Sequence, residues 1–209
     1  MHTLSDLQRF DDRRIEDHVV CFSGVSWDDY LRLMAMRGDR SAPRISYLEG
    51  EVEIMSPSET HEAIKSMIGR LVETYCLERN IPFRTLGSWT LTAQDCSRGA
   101  EPDECWVFGS APAERPHLVI EVVWTSGRID KLDIYRKLGV AEVWYWRRGE
   151  LQPYCLRGDR YVPVSTSEAL PGLDLALLTR FLDESTTYGA IRAYRQALRQ
   201  ASDDSLAPM

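Results

Sequence analysis

The stretch Leu118-Val119-Ile120-Glu121-Val122-Val123-Trp124 is apolar at every position but one. An apolar run of this length, rich in β-branched residues, reads as a strand covered on both faces. A helical pattern over residues 127–138 follows, ended by Gly139, and then a second apolar strand over 142–146. Strand, helix and strand in this order, with further strands on either side, predict an α/β fold: a mixed central β-sheet flanked by helices.

Working outward, strands are expected over 82–86, 88–92 and 104–108, joined by loops at 95–99 and 110–116, and again over 151–156 and 161–164. Upstream, Ser26 is a good N-cap for a helix that stops near Gly38. Two alternating runs, 44–48 and 51–55, flank Glu49-Gly50 and read as a hairpin, since Gly supplies the positive φ of a tight turn. A long helix over 59–79 carries Glu59 and Glu62 in its first turn, where the helix dipole favours carboxylates. Its stripe His61, Ile64, Ile68, Leu71 and Tyr75 buries one face, with His61 at the exposed beginning of that face. A short helix within 173–182 and a helix over 187–200 close the chain, followed by a disordered tail, 202–209. The expected organisation is a loose N-terminal arm (1–22), one domain (23–186), and a C-terminal helix and tail (187–209).

The 209 residues carry 25 basic and 32 acidic side chains, a formal charge of −7, and are 44% hydrophobic. That is one ordinary globular domain. The acidic balance excludes a protein that coats nucleic acid by bulk electrostatics, though not an enzyme with a local cationic groove. No run approaches the roughly 18 apolar residues of a membrane span, and the first twenty residues are studded with Asp and Arg, so a cytoplasmic protein that does not engage membranes is expected. Cys21, Cys76, Cys96, Cys105 and Cys155 are odd in number and scattered, which argues against a disulfide framework and a structural zinc site.

Glu121 is the most informative residue. An unpaired buried carboxylate costs on the order of several kcal/mol, so this one is protonated, paired or bound to a cation. Lys131 lies ten residues on, beside the stripe Ile134, Tyr135 and Leu138. Taken alone it reads as a lysine snorkelling out of the interface; taken with Glu121, the helix packs acid and ammonium together. Pro102-Asp103 precedes a strand and can project its carboxylate past the sheet edge, although the dipeptide is also common in turns. Two carboxylates from adjacent strands plus a lysine suit a hard divalent cation and a phosphate.

These residues, with Gly139-Val140 and Glu142-Val143-Trp144, resemble the putative restriction endonuclease family of the PD-(D/E)XK nuclease superfamily. The resemblance runs from about residue 26 to 183, through Trp27–Leu31, Tyr47-Leu48-Glu49-Gly50-Glu51, Met55-Ser56-Pro57 and His61. It implies a restriction-endonuclease-like core with an N-terminal helix-hairpin addition. In the wider superfamily the lysine lies two residues after the glutamate; here that position is Val123, and Lys131 stands in for it. Trp124 replaces a small serine-like residue of the family and Arg147 an aspartate.

The implied activity is a magnesium-dependent endonuclease, with manganese as a substitute metal, that hydrolyses DNA phosphodiester bonds. Asp103 and Glu121 bind the metal, Glu51 assists, and Lys131 positions the water. Alternation puts Glu51, Glu53 and Met55 on one face, so the acids there are either solvated or ligands. His61 either binds phosphate or a ligand water, or is a capped, partly buried histidine. Arg98, Arg128, Lys137, Arg147 and Arg148 are candidate DNA contacts, and cutting both strands suggests a homodimer. The rival reading is a nuclease-fold module that binds DNA or protein without catalysis; a hydrolase of small phosphoesters is a third.

Overall fold

The structure, a computed structural model, describes residues 16–87, 89–93, 95, 97–124 and 129–206. Its strands form two sheets. One is antiparallel, with β1 (His18–Phe22), β3 (Glu51–Ser56), β2 (Arg44–Leu48), β6 (Arg98–Ala100) and β5 (Leu91–Ala93) side by side in that order. The other runs β11 (Arg160–Pro163), β10 (Glu150–Arg157), β9 (Glu142–Arg147), β8 (Leu118–Val122), β7 (Glu104–Phe108) and β4 (Phe83–Thr85). Among the described residues only β8 and β9 pair parallel, and α1 to α5 span Trp27–Arg37, Glu59–Glu78, Lys131–Leu138, Leu175–Thr179 and Thr187–Leu206, with α3 as the β8–β9 crossover. This second sheet is the mixed sheet the sequence predicts.

Local chemistry sets the boundaries. The Ser26 hydroxyl accepts the Asp29 N–H at 3.1 Å to open α1, and Ser58 accepts the His61 N–H at 3.1 Å to open α2. Asp130 accepts from the Leu132 N–H at 3.0 Å, so α3 starts at Lys131 and not at 127; residues 125–128 lie outside the described residues. The hairpin turn takes positive φ at both Glu49 (48°) and Gly50 (97°), the form whose twist matches the flanking strands.

Three readings change. The end of the supposed loose arm is β1, an edge strand whose Val20 faces Ile54 of β3; its β-branched and aromatic residues explain the pairing. The supposed loop 95–99 contains the start of β6, which joins β2 to β5. Gly99 there is sterically required, because a Cβ would sit 2.3 Å from the Tyr30 hydroxyl. Helix α5 runs on to Leu206 through the supposed tail. The predicted hairpin forms as β2 and β3, and both strands sit inside the five-stranded sheet. Residues 1–15 and 207–209, together with Ser88 and Cys96, lie outside the described residues.

The core is layered. On one face of the mixed sheet, Trp106, Leu118, Ile120 and Trp144 pack against Ile68, Leu71, Tyr75, Tyr194 and Leu198 of α2 and α5, so the C-terminal helix belongs to the main core. On the other face, Cys105, Val119 and Val143 meet Ile134 and Tyr135 of α3 with Leu91 and Ala100 of the antiparallel sheet. That sheet packs Ile45, Tyr47 and Val52 against Tyr30 of α1. Its other face, carrying Arg44 and Glu53, is turned inward. Among the described residues no helix is long and apolar enough to cross a membrane, and Cys21, Cys76, Cys105 and Cys155 are free thiols.

Candidate active site

The antiparallel register of β7 and β8 pairs Glu104 with Ile120 and so sets Asp103 opposite Glu121. Both carboxylates are buried, 1% and 0% exposed. Both lie on the face that carries Cys105 and Val119, turned toward α3 and the antiparallel sheet.

Asp103 is surrounded by donors. Its Oδ2 accepts the Val122 N–H at 2.6 Å and lies 3.0 Å from Nε2 of His61, while Oδ1 accepts from the Arg44 guanidinium. Burial alone would raise its pKa, yet Arg44 and His61 together hold it well below the usual carboxylate range. The other ring nitrogen of His61 lies 2.9 Å from Asp17. Burial disfavours the imidazolium, but the hydrogen bonds to Asp103 and Asp17 outweigh it and raise His61 to about 9. Both ring nitrogens therefore donate at neutral pH. Arg44 also reaches Glu62 at 2.8 Å, and Asp17 accepts the Ser58 N–H at 2.8 Å.

Glu121 faces different partners. Lys131, the first residue of α3, places Nζ 2.6 Å from Oε2, and the Tyr135 hydroxyl one turn later donates to Oε1. Burial raises the Glu121 pKa; Lys131 opposes that and the neighbouring Asp103 charge reinforces it, so the net shift is upward. Burial would lower Lys131, but Glu121 and Asp103 raise it on balance, which keeps the ammonium charged. The two carboxylates thus titrate in opposite directions a strand apart, an arrangement typical of functional sites.

A cavity of about 340 Å³ opens beside this cluster, with Asp17, Glu53, Lys131, Tyr145, Arg147 and Tyr154 in its wall; Asp103 and Glu121 do not line it. Asp103, Glu121, Lys131 and His61 are brought together as the sequence suggested. His61, however, is fully buried, not exposed, because β1 and Asp17 cover the start of α2. Glu51 is not in the cavity wall; its Oε2 accepts from the Ser23 hydroxyl at 2.8 Å, and Glu53, two residues on along the same face, takes the place facing Lys131.

Of the candidate DNA contacts, Arg98 is buried between Glu49 and Asp133, 2.8 Å from each, and Lys137 lies 3.8 Å from Asp159. Arg147 and Arg148 are exposed, and Arg128 lies outside the described residues. Trp124 packs edge-to-face on Trp146, centroids 4.8 Å apart. Sequence reasoning missed Arg44, Asp17 and the hydroxyl of Tyr135; only Arg44, a cation on the inward side of an alternating strand, left a readable signal.

The chain is an α/β protein whose mixed sheet opposes two buried acids, one of them paired with a lysine of a cavity wall. The sequence matches the Uma2 family, described as putative restriction endonucleases, over residues 27–186, and the chain belongs to that family. It is also similar in structure to a putative nuclease belonging to DUF820 from Anabaena variabilis ATCC 29413, with 15% identity and a TM-score of 0.48 over 82% of this chain and 99% of that one. No curated protein matches the sequence.

Proposed function

We propose that the protein is a magnesium-dependent endonuclease that hydrolyses DNA phosphodiester bonds. The observation that carries this reading is the opposed, buried pair Asp103 and Glu121, with Lys131, a residue of the cavity wall, on Glu121. Among the described residues no three His, Cys, Asp or Glu side chains are grouped to hold an ion. Magnesium does not need such a group, since one or two carboxylates, water and a substrate phosphate commonly complete its shell. The pair has the right donor chemistry, and Oδ1 of Asp103 and both oxygens of Glu121 each keep a lone pair beyond the single donor they accept from. Asp103 and Glu121 would hold the ion, with Glu53, in the wall of the adjoining cavity, as a third carboxylate.

A bound magnesium would polarise a phosphoryl oxygen and lower the pKa of a coordinated water. The protein's own groups do the rest. Arg44 and His61 keep Asp103 ionised. Tyr135 fixes the rotamer of Glu121. Lys131 brings a charged ammonium to the cavity, where it orients the attacking water and offsets charge developing on the phosphate. Cleavage of both strands of a duplex would call for two copies of the site, hence a homodimer.

The test is cleavage of plasmid and of short single- and double-stranded DNA with magnesium or manganese, with and without chelator. Metal-dependent cutting is expected, and Glu121→Gln should lower it by about 10²-fold or more. Cutting that survives chelation or Glu121→Gln would overturn the reading. One observation favours the rival, a binding module without turnover: every oxygen of Asp103 and Glu121 already accepts from a protein donor. Folded protein that binds DNA but cuts no substrate with either metal would establish it.

A further inference from the structure

The cavity beside the acids takes its wall from the start of α3 and the end of β9, which supply Lys131 and Arg147. The parallel register sets Glu121 of β8 against Tyr145 of β9 and ends at Val122 against Trp146. Arg147 follows Tyr145 on the same face, roughly 6–7 Å further along the strand. It therefore stands just past the carboxyl ends of the two parallel strands, where ligands of α/β sheets commonly bind. Its guanidinium lies 4.7 Å from the centroid of the Tyr145 ring, and Tyr154 stands edge-to-face against that ring at 5.6 Å.

The charged side chains of the wall are Asp17, Glu53, Asp130, Lys131 and Arg147, and all but the last are engaged. Asp17 lies 2.9 Å from His61, Lys131 lies 2.6 Å from Glu121, and Glu53 acts electrostatically on Lys131. Asp130 accepts the Leu132 N–H at the start of α3. Arg147 is exposed, and no described carboxylate pairs with it. Burial pushes the Tyr145 phenol far above its ordinary pKa, so the ring beneath the guanidinium stays neutral. Stacking occupies the flat face of a guanidinium and leaves its N–H fork free in the plane. That fork fits two oxygens of one phosphate, which a lysine ammonium does less well.

Building on the nuclease reading, we propose that Arg147 is a backbone-phosphate clamp: its fork holds the non-bridging oxygens of a phosphate flanking the scissile one and so fixes the strand's register relative to Lys131. The ligand is the sugar-phosphate backbone, which a duplex presents on its outside with the bases still paired. Such a contact positions the substrate, carries no sequence information and makes no demand on strand state. Arg147 thus acts on where the reacting phosphate sits and not on the breaking bond.

The test uses the full chain and a fluorescein-labelled duplex oligodeoxynucleotide. Anisotropy in calcium over a series of salt concentrations gives affinity and its salt slope, and magnesium-supported cleavage gives kcat and KM, for wild type, Arg147→Ala, Arg147→Lys and Arg160→Ala. Arg147→Ala should weaken binding about tenfold and reduce the slope of log affinity against log salt by about 0.9, the loss of one phosphate contact. It should raise KM about tenfold with kcat within about twofold. Arg147→Lys keeps the charge, so it should keep the slope and recover only part of the affinity. Arg160, exposed on β11 and outside this cavity, controls for bulk charge, and Arg160→Ala should stay within about twofold of wild type. A slope and affinity unchanged by Arg147→Ala, equal losses in Arg147→Ala and Arg160→Ala, or no duplex binding by wild type would each overturn the clamp. Metal-supported cleavage to which Arg147→Ala is indifferent sinks the clamp alone; Arg147-dependent binding without such cleavage sinks the nuclease reading and leaves Arg147 as a phosphate contact.

Discussion

Nε2 of His61 lies 3.0 Å from Oδ2 of Asp103, and both side chains are shut off from solvent. A histidine held between Asp103 and Asp17, with Arg44 also facing Asp103, keeps its proton far beyond the range of a free imidazole.

The pH dependence of stability follows from that proton. His61 is raised to about 9 from the ordinary 6.5 of an imidazole. A group whose pKa is raised on folding contributes fully below its unfolded value, and the contribution is lost as pH rises through the folded one. Urea unfolding from pH 6 to 10 should therefore show wild type losing up to about 3 kcal/mol, most of it between pH 6.5 and 9. His61→Gln should flatten the curve over that window. Equal slopes for the two proteins would show that the proton is not held as the geometry indicates.

Glu121 and Lys131 form a pair in which one partner is fully buried. Breaking such a pair from one side strands a charge, whereas neutralising both ends can cost little. Lys131→Met should destabilise the fold by about 3 kcal/mol, and Lys131→Met with Glu121→Gln should return to within about 1 kcal/mol of wild type. A double-mutant cycle by denaturant titration reads this directly. Additive losses would mean the 2.6 Å contact carries no coupling.

The legible parts of this chain were those whose signal is local. The boundaries of β7 and the two ends of α1 follow from the apolar run after Glu104, Ser26 and Gly38, all local signals. Glu121 stood out because an apolar run makes a lone carboxylate costly wherever the strand goes. The donors around Asp103 had no such signature. Arg44 comes from 59 residues away and Asp17 reaches His61 across 44, so only the assembled sheets bring them together. The same holds for the second sheet: β6 is three residues long, and pairing to β2 and β5, not propensity, makes it a strand.

Tyr135 donates its hydroxyl to Oε1 of Glu121 inside a fully buried contact. Tyr135→Phe removes the donor and leaves the ring in place. A hydrogen bond to a charged acceptor contributes roughly 1.5–3 kcal/mol, so the variant should lose about that much stability. The same bond lowers the Glu121 pKa, so its removal should move the titration of that carboxyl further up, readable by carbon NMR of labelled glutamate. An unchanged titration would assign the hydroxyl a packing role only.

Glu51 and Glu53 share the inward face of β3, and alternation alone cannot rank them. The structure separates them. Glu53 is 5% exposed, lines the cavity and acts electrostatically on Lys131, whereas Glu51 is half-buried and takes a hydrogen bond from Ser23 at 2.8 Å. If a third carboxylate serves the ion, it is Glu53. Glu53→Gln should lower metal-supported DNA cleavage about tenfold and raise the magnesium concentration needed for half-maximal rate, with Glu51→Gln within about twofold of wild type on both measures. The reverse ranking would return the role to Glu51 and require the hairpin to shift toward Lys131 when substrate binds.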